Sequence, residues 1–317
     1  MEKSKRNKTI TLDNEETQRL LSRCVFSPIR CDVQENTVVC GDCLEIAKNI
    51  QKNSIDLLIV DPPYNLTKIY GNNVFNRLSN AEYEHYTRSW IEAYLPTLKE
   101  NASIYVCCDV MSGIIIAPLL SEYFKVRQRI TWQREKGRGA QKNWKSGMED
   151  IWFCTKGDDY TFNLSAVKIR REVKAPYTQD GQPKDWFEKD GKKYRDTCPS
   201  GFWDDITVPY WSMPENTEHP TQKPEKLIAK LILASSNEND IVLDPFGGSG
   251  TTAVTAFKLN RKFIIVEKEK QYCALCQKRL EIAKKVKQIQ GFEDGIFYAR
   301  GDNPVKRQKN GVKTDNC

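Results

Sequence analysis

Ile55-Asp56-Leu57-Leu58-Ile59-Val60-Asp61-Pro62-Pro63-Tyr64 is the stretch that decides the fold. Its apolar half reads as a buried parallel strand, with polar residues before it and two prolines after it. The prolines bar a helix and hold the chain extended just past the strand end. They leave a carboxylate (Asp61), backbone carbonyls that no ladder uses, and one exposed aromatic ring (Tyr64) at the C-terminal edge of a sheet. In an open α/β sheet that edge is where ligands bind. A planar amine can lie against the ring while its N–H groups donate to Asp61 and to the carbonyl of Pro62. The stretch is shaped for chemistry on an exocyclic amino group.

A second stretch supplies what such an amine could receive. Ile241-Val242-Leu243-Asp244-Pro245-Phe246-Gly247-Gly248-Ser249-Gly250-Thr251-Thr252 is again an apolar strand running into a tight turn, with a helix expected over 253–260. Glycines let the backbone pass close to a ligand, and the hydroxyls can start the helix. Phe263-Ile264-Ile265-Val266 then reads as another buried strand, ending in Glu267. A glycine turn followed by a strand-terminal acid suits a nucleoside ribose. The G-x-G-x-x-G fingerprint and the lysine of a nucleotide-phosphate loop are both missing. A nucleoside without a diphosphate fits, which points to S-adenosyl-L-methionine. Asp244, Phe246, Gly247, Ser249, Thr251 and Glu267 are its expected contacts.

Over residues 36–285 the chain resembles the beta-class amino DNA methyltransferases, in which a DPPY motif precedes the target-recognition region and the glycine motif comes last. Val39-Cys40-Gly41-Asp42-Cys43-Leu44 resembles the family segment whose Asp approaches the cofactor adenine. His219-Pro220-Thr221-Gln222-Lys223-Pro224 resembles the segment that meets the methionine end. The resemblance adds Asp42, Cys43, His219, Thr221, Lys223 and Lys268 to the cofactor set, with Asp61, Pro62 and Tyr64 catalytic. It implies an α/β fold: a doubly wound, Rossmann-like sheet with circularly permuted motif order and a target-recognition insert. The implied reaction is methyl transfer to the N6 amino group of adenine in double-stranded DNA, because DPPY is commoner among adenine enzymes and SPPY among cytosine-N4 enzymes. Cytosine N4, an RNA or protein amide substrate, and a non-catalytic DNA-binding subunit are the alternatives. A restriction-modification setting, a cognate endonuclease and a homodimer also follow from the resemblance alone.

The net charge of +7 is unevenly placed. Arg134, Lys136, Arg138, Lys142 and Lys145 cluster with Trp132 and Trp144, and Arg170 and Arg171 follow. Basic residues interleaved with aromatics can neutralise phosphates and steer a polyanion to the catalytic edge, so these seven are the expected DNA contacts. The eleven cysteines do not form a secreted disulfide framework. Cys40/Cys43 and Cys273/Cys276 have zinc-ligand spacing, yet the first pair brackets Asp42 in a segment already explained and the second lies on a helix expected over Glu269–Val286, so no metal is expected. No Pro-Cys dipeptide is present, which argues against methylation at carbon. The chain carries no apolar stretch long enough to span a bilayer, so a soluble, cytoplasmic protein is expected.

Five segments follow from composition. Residues 1–36 form an N-terminal extension with a short helix near 14–23, and 37–156 form the catalytic half. Residues 157–216, where periodicity breaks up, form the recognition insert. Residues 217–286 form the cofactor half, and 287–317 a polar tail. Within the catalytic half, 65–80 reads as a mobile loop able to close over substrate.

Overall fold

A computed structural model describes residues 4, 6–71, 73–134, 142, 144–189 and 191–300. Its centre is a nine-stranded sheet: β1 (Val25–Phe26), β2 (Thr37–Cys40), β3 (Ile55–Val60), β4 (Leu98–Cys108), β5 (Lys125–Gln133), β6 (Met148–Thr155), β7 (Phe202–Trp203), β8 (Ile241–Asp244) and β9 (Lys262–Glu267). Their spatial order is β1-β2-β9-β8-β3-β4-β6-β5-β7. All neighbours from β1 to β4 are parallel, while β6 runs antiparallel to both β4 and β5.

β3 carries the centre because it is buried on both faces: Leu57, Leu58, Ile59 and Val60 are each at most 1% exposed. Its one polar residue, Asp56, accepts the backbone N–H of Ile241 at 2.9 Å and pairs with Lys99 at 2.6 Å. That carboxylate sets the register of β8 beside β3. From β3 the chain moves outward one way through β4, and from β8 the other way through β9. The strand order therefore reverses between β3 and β8, which is where an α/β sheet opens its ligand crevice.

Helices cover both faces. Asn14–Leu21 (α1), Glu225–Ser235 (α4), Thr251–Lys258 (α5) and Lys270–Lys285 (α6) bury one apolar cluster, and Asn80–Tyr94 (α2) and Val110–Tyr123 (α3) bury the other. α1 is fastened to α6, since Arg19 and Arg23 both reach Glu281. Helix starts obey local chemistry: Ser79 and Glu82 form a reciprocal cap on α2, and Asp109 caps α3.

The insert differs from the aperiodic stretch its composition suggests. Ile169–Glu172, Phe187–Lys189 and Lys192–Thr197 form antiparallel strands, and Ile296–Tyr298 and Phe292–Glu293 complete a second, five-stranded sheet. Residues 292–298 are thus folded, which corrects the expectation of a tail from 287 onward. The second sheet packs on α4 through Val167, Ile169, Ala229, Ala234 and Phe297. Asp205 fixes that junction, taking Lys226 and Lys230 at 2.7 Å each in the interior. Among the described residues no helix is long and apolar enough to cross a membrane.

Candidate active site

At the C-terminal ends of β3 and β8 lies a cavity of 480 Å³. It is lined by both strand-end turns, by His219, Thr221 and Lys223, and by Asp42, Cys43 and Lys268. The structure brings together Asp61, Pro62, Tyr64 and all the expected cofactor residues.

The β3 side of the cavity, the expected catalytic side, is built from charges. Asp61 leaves the strand end with both oxygens engaged: Oδ2 accepts from Lys223 Nζ at 2.6 Å and Oδ1 from the Tyr64 hydroxyl at 3.0 Å. The Tyr83 hydroxyl takes the carbonyl of Pro63 at 2.9 Å. Pro62 lines the cavity beside Asp61, and no hydrogen bond among the described residues occupies its carbonyl. Below the turn, buried Asn65 receives Leu78 N–H at 2.8 Å, gives a bond to Leu78 O at 3.0 Å, and itself donates to Ser112 Oγ at 3.0 Å. The extended Pro-Pro segment is thereby held at both ends.

One expectation needs correction here. Tyr64 is half-buried rather than an exposed platform, with its hydroxyl turned inward on Asp61. Burial, reinforced by Asp61 and Glu149, pushes its phenol well above the usual range. Lys223, assigned to the cofactor by resemblance, lines the same cavity and places its ammonium on the Asp61 carboxylate. Burial opposes that charge, yet the Asp61 and Glu149 carboxylates outweigh it and raise the pKa of Lys223.

The β8 side, the expected cofactor side, is built from backbone. Gly248 and Gly250 have φ of +51° and +78°, a region that residues with side chains rarely adopt. A Cβ on Gly247 would lie 2.1 Å from Ile265, and one on Gly250 2.1 Å from the sulfur of Cys276. Glu267 closes the turn by accepting Gly248 N–H and Glu269 N–H, each at 2.7 Å. Enclosure raises its carboxyl to about 7. Asp244 faces inward, receiving Thr252 Oγ1 at 2.6 Å and Phe246 N–H at 3.0 Å, and burial raises it to about 7 as well. Its first task is to shape the turn. His219 packs on Gly248 and edge-on to Tyr272, and burial lowers its pKa to about 4, so it is neutral near pH 7. Asp42 caps the turn Cys43–Ile46 and meets Lys268 at 3.4 Å.

Several contributors escaped the sequence. Arg279 is buried and reaches Ser249 O at 3.1 Å, Thr251 Oγ1 at 2.9 Å and Glu225 at 3.0 Å, while Thr251 donates to Lys223 O at 3.0 Å. One guanidinium therefore ties the glycine turn to the lysine beside Asp61. The 65–80 loop contains a hairpin, Lys68–Tyr70 with Asn73–Phe75, whose Lys68, Tyr70, Val74 and Phe75 line the cavity. Gly71 N–H donates to the Tyr272 hydroxyl at 3.0 Å, so the hairpin is latched to the cofactor side. Glu149 is 5% exposed and stands beside Lys223, Tyr64 and Arg134. The antiparallel course of β6 brings its first residues to the edge that holds Asp61, a direction no local pattern reveals.

The basic residues divide. Arg134 lines the cavity on Glu149, and Lys142 and Lys145 are exposed beside Trp144, itself 92% exposed. Lys136 and Arg138 lie outside the described residues. Arg170 is a correction: its guanidinium grips Asp196 through two 2.8 Å bonds and stacks over Phe187, so it holds the second sheet together. Arg171 lies at the surface, 3.4 Å from Asp204. Of the C-x-x-C pairs, Cys40, Cys273 and Cys276 pack in one core and Cys43 against the other, on opposite faces of the sheet.

Known proteins share this architecture and sequence. The N6_N4_Mtase family, described as DNA methylase, matches residues 55–278. Type II methyltransferase M.HpaI of Haemophilus parainfluenzae is 34% identical over 252 residues, covering 78% of this chain and 74% of that protein. DNA adenine methyltransferase YhdJ of Escherichia coli K12 is 34% identical over 263 residues, covering 81% and 86%. Among solved structures, the M1.HpyAVI–SAM complex superposes with a TM-score of 0.50 at 25% identity, covering 77% of this chain and 98% of that one. The PvuII DNA methyltransferase, cytosine-N4-specific, gives a TM-score of 0.58 at 17% identity over 81% of this chain and 94% of that one, a likeness of fold alone. The chain belongs to the amino DNA methyltransferase family and takes its methyl group from S-adenosylmethionine.

Proposed function

We propose that the chain methylates the N6 amino group of adenine in duplex DNA, as the modification enzyme of a restriction-modification system. The observation that carries this is the acceptor pair at the end of β3, the Asp61 carboxylate with the Pro62 carbonyl, facing a cavity shared with the glycine turn. The intact Asp-Pro-Pro-Tyr motif and the names of the relatives, one a DNA adenine methyltransferase and one a Type II methyltransferase, favour adenine and the restriction-modification setting.

The residues suit the cofactor: a buried glycine turn, a strand-end carboxylate in Glu267 and apolar walls from Leu44, Phe246 and Val266. Glu267 would hold the ribose hydroxyls, the Gly247–Thr251 turn the methionine end, and Asp42 the adenine side. When bound, S-adenosylmethionine supplies a sulfonium methyl group whose C–S bond breaks toward sulfur as the amine nitrogen takes the carbon.

An exocyclic amine is a weak nucleophile because its lone pair is delocalised into the ring. Asp61 and the Pro62 carbonyl, by accepting its two N–H groups, favour the pyramidal nitrogen of the transition state. Asp61 then takes the proton that the methylated nitrogen releases and passes it to solvent. A base inside a duplex is out of reach of this crevice, so it must be extruded. Its ring would lie on Tyr64 once the phenol gives up its bond to Asp61. The test is incubation of the full chain with labelled S-adenosylmethionine and unmethylated duplex DNA, then nucleoside digestion and mass spectrometry. Labelled N6-methyladenine is expected; N4-methylcytosine would overturn the base assignment, and no labelled nucleoside would overturn the reaction.

A further inference from the structure

That mechanism uses neither Glu149 nor the ammonium of Lys223, yet both are buried in the catalytic wall at 5% and 8% exposure. They form the middle of a chain of alternating charges. Arg134 pairs with Glu149 Oε1, Glu149 Oε2 lies 3.4 Å from Lys223 Nζ, and Lys223 Nζ lies 2.6 Å from Asp61 Oδ2. The lysine stands between two carboxylates and leans on Asp61, because the other already has a cation. Arg134 is the one member whose side chain is substantially open, at 33% exposure, and it sits at the cavity wall.

This arrangement has a mechanical consequence. A carboxylate clamped by an ammonium is a poorer acceptor for a neutral amine, so the bond from Lys223 works against the role of Asp61. A guanidinium at the edge of a DNA-binding surface will be drawn to a phosphate, which it can hold through paired hydrogen bonds. Glu149 would then lose Arg134, and a buried carboxylate without a partner is costly. The nearest cation is Lys223.

We propose that Glu149 is a positioning residue: when a DNA phosphate engages Arg134, Glu149 draws Lys223 off Asp61 and so releases the catalytic carboxylate to the amine. The inference rests on the amine-methylation reading above. Asp61 is thereby unclamped only when DNA is in place.

The test uses the full chain, duplex DNA and labelled S-adenosylmethionine, with kcat, KM for DNA and the single-turnover transfer rate measured for three variants. Glu149→Gln keeps the shape but lacks the charge that competes with Asp61 for the ammonium, so the transfer rate should fall by about 10- to 100-fold with KM for DNA within about threefold. Glu149→Asp keeps the charge at shorter reach and should fall between Glu149→Gln and wild type. Arg134→Ala should raise KM for DNA several-fold and lower the salt slope of binding by about one, its loss lying in KM rather than in the transfer step. Wild-type transfer by both Glu149 variants, or a Glu149→Gln loss confined to KM, would overturn the proposal. If Glu149→Gln does not fold, Glu149→Asp decides, with a slowed transfer step at unchanged KM expected and a wild-type rate overturning it. Failure of the underlying reading is a different result: wild-type protein that labels no DNA.

Discussion

Two turns leave neighbouring parallel strands at the same edge of the sheet, and they are made in opposite ways. The turn after β3 is stiffened by Pro62 and Pro63 and works through side chains: Asp61, Tyr64 and the Lys223 ammonium that meets them. The turn after β8 is thinned by Gly247, Gly248 and Gly250 and works through backbone, with Asp244 and Glu267 spent first on holding N–H and hydroxyl groups of the turn itself. The chemistry explains the contrast. A catalytic carboxylate has to exchange partners during a turnover, so it needs side-chain bonds that can be remade. A cofactor pocket has to keep its shape, which close-packed glycine backbone provides.

The contrast breaks most visibly at Asp61. Asp61→Ala should lower single-turnover methyl transfer by about a thousandfold, the order seen when one preorganised polar partner of a transition state is removed. Near-normal transfer would remove Asp61 from the chemistry. On the other turn, Gly250→Ala places a methyl group against Cys276 at a φ of +78°. Urea unfolding should show a loss of about 2–4 kcal/mol, and Cys276→Ala in the same chain should restore part of it. An unchanged unfolding midpoint would mean that the turn is not close-packed.

The pH dependence sharpens the comparison further. The Glu267 carboxyl is raised from 4.5 to about 7, so the folded chain binds a proton there that the unfolded chain has lost. Its contribution to the stability of the cofactor-free protein is complete below about 4.5 and is lost as pH rises through about 7. Cofactor affinity moves the other way, because the ionised carboxylate is the better acceptor for ribose hydroxyls. Titrations from pH 6 to 8 should show binding tighten with a midpoint near 7, and Glu267→Gln should flatten that profile. The smallest effects lie outside both turns. Lys142→Ala and Lys145→Ala should each weaken DNA binding a few-fold and lower its salt slope by about one, whereas Arg170→Ala should lower unfolding stability and leave that slope alone.

The fold was legible wherever a run of residues has one environment. The IDLLIV and IVLD strands, the glycine turn and the helix 270–285 all announce themselves by period and punctuation. What escaped was charge that faces inward. Nothing local marks Glu225, Lys226 and Lys230 as interior residues, yet all three, like Lys223, are buried and each meets a partner from a distant segment. Arg170 misled and Arg279 went unread for the same reason, because Asp196 and Glu225 become their neighbours only through the fold. Glu149 needed the direction of β6. The second sheet stayed hidden because its strands are short, and two of them come from beyond residue 287.

On the proposed function the two turns divide the work, the first acting on the amine and the second holding the cofactor. Calorimetric titration of S-adenosylmethionine into Asp61→Ala protein tests that division most directly. The account predicts a Kd within about twofold of wild type, because the affinity resides in the glycine turn and Glu267. A loss of about tenfold or more in cofactor affinity would contradict it, since Asp61 would then belong to the pocket as much as to the chemistry.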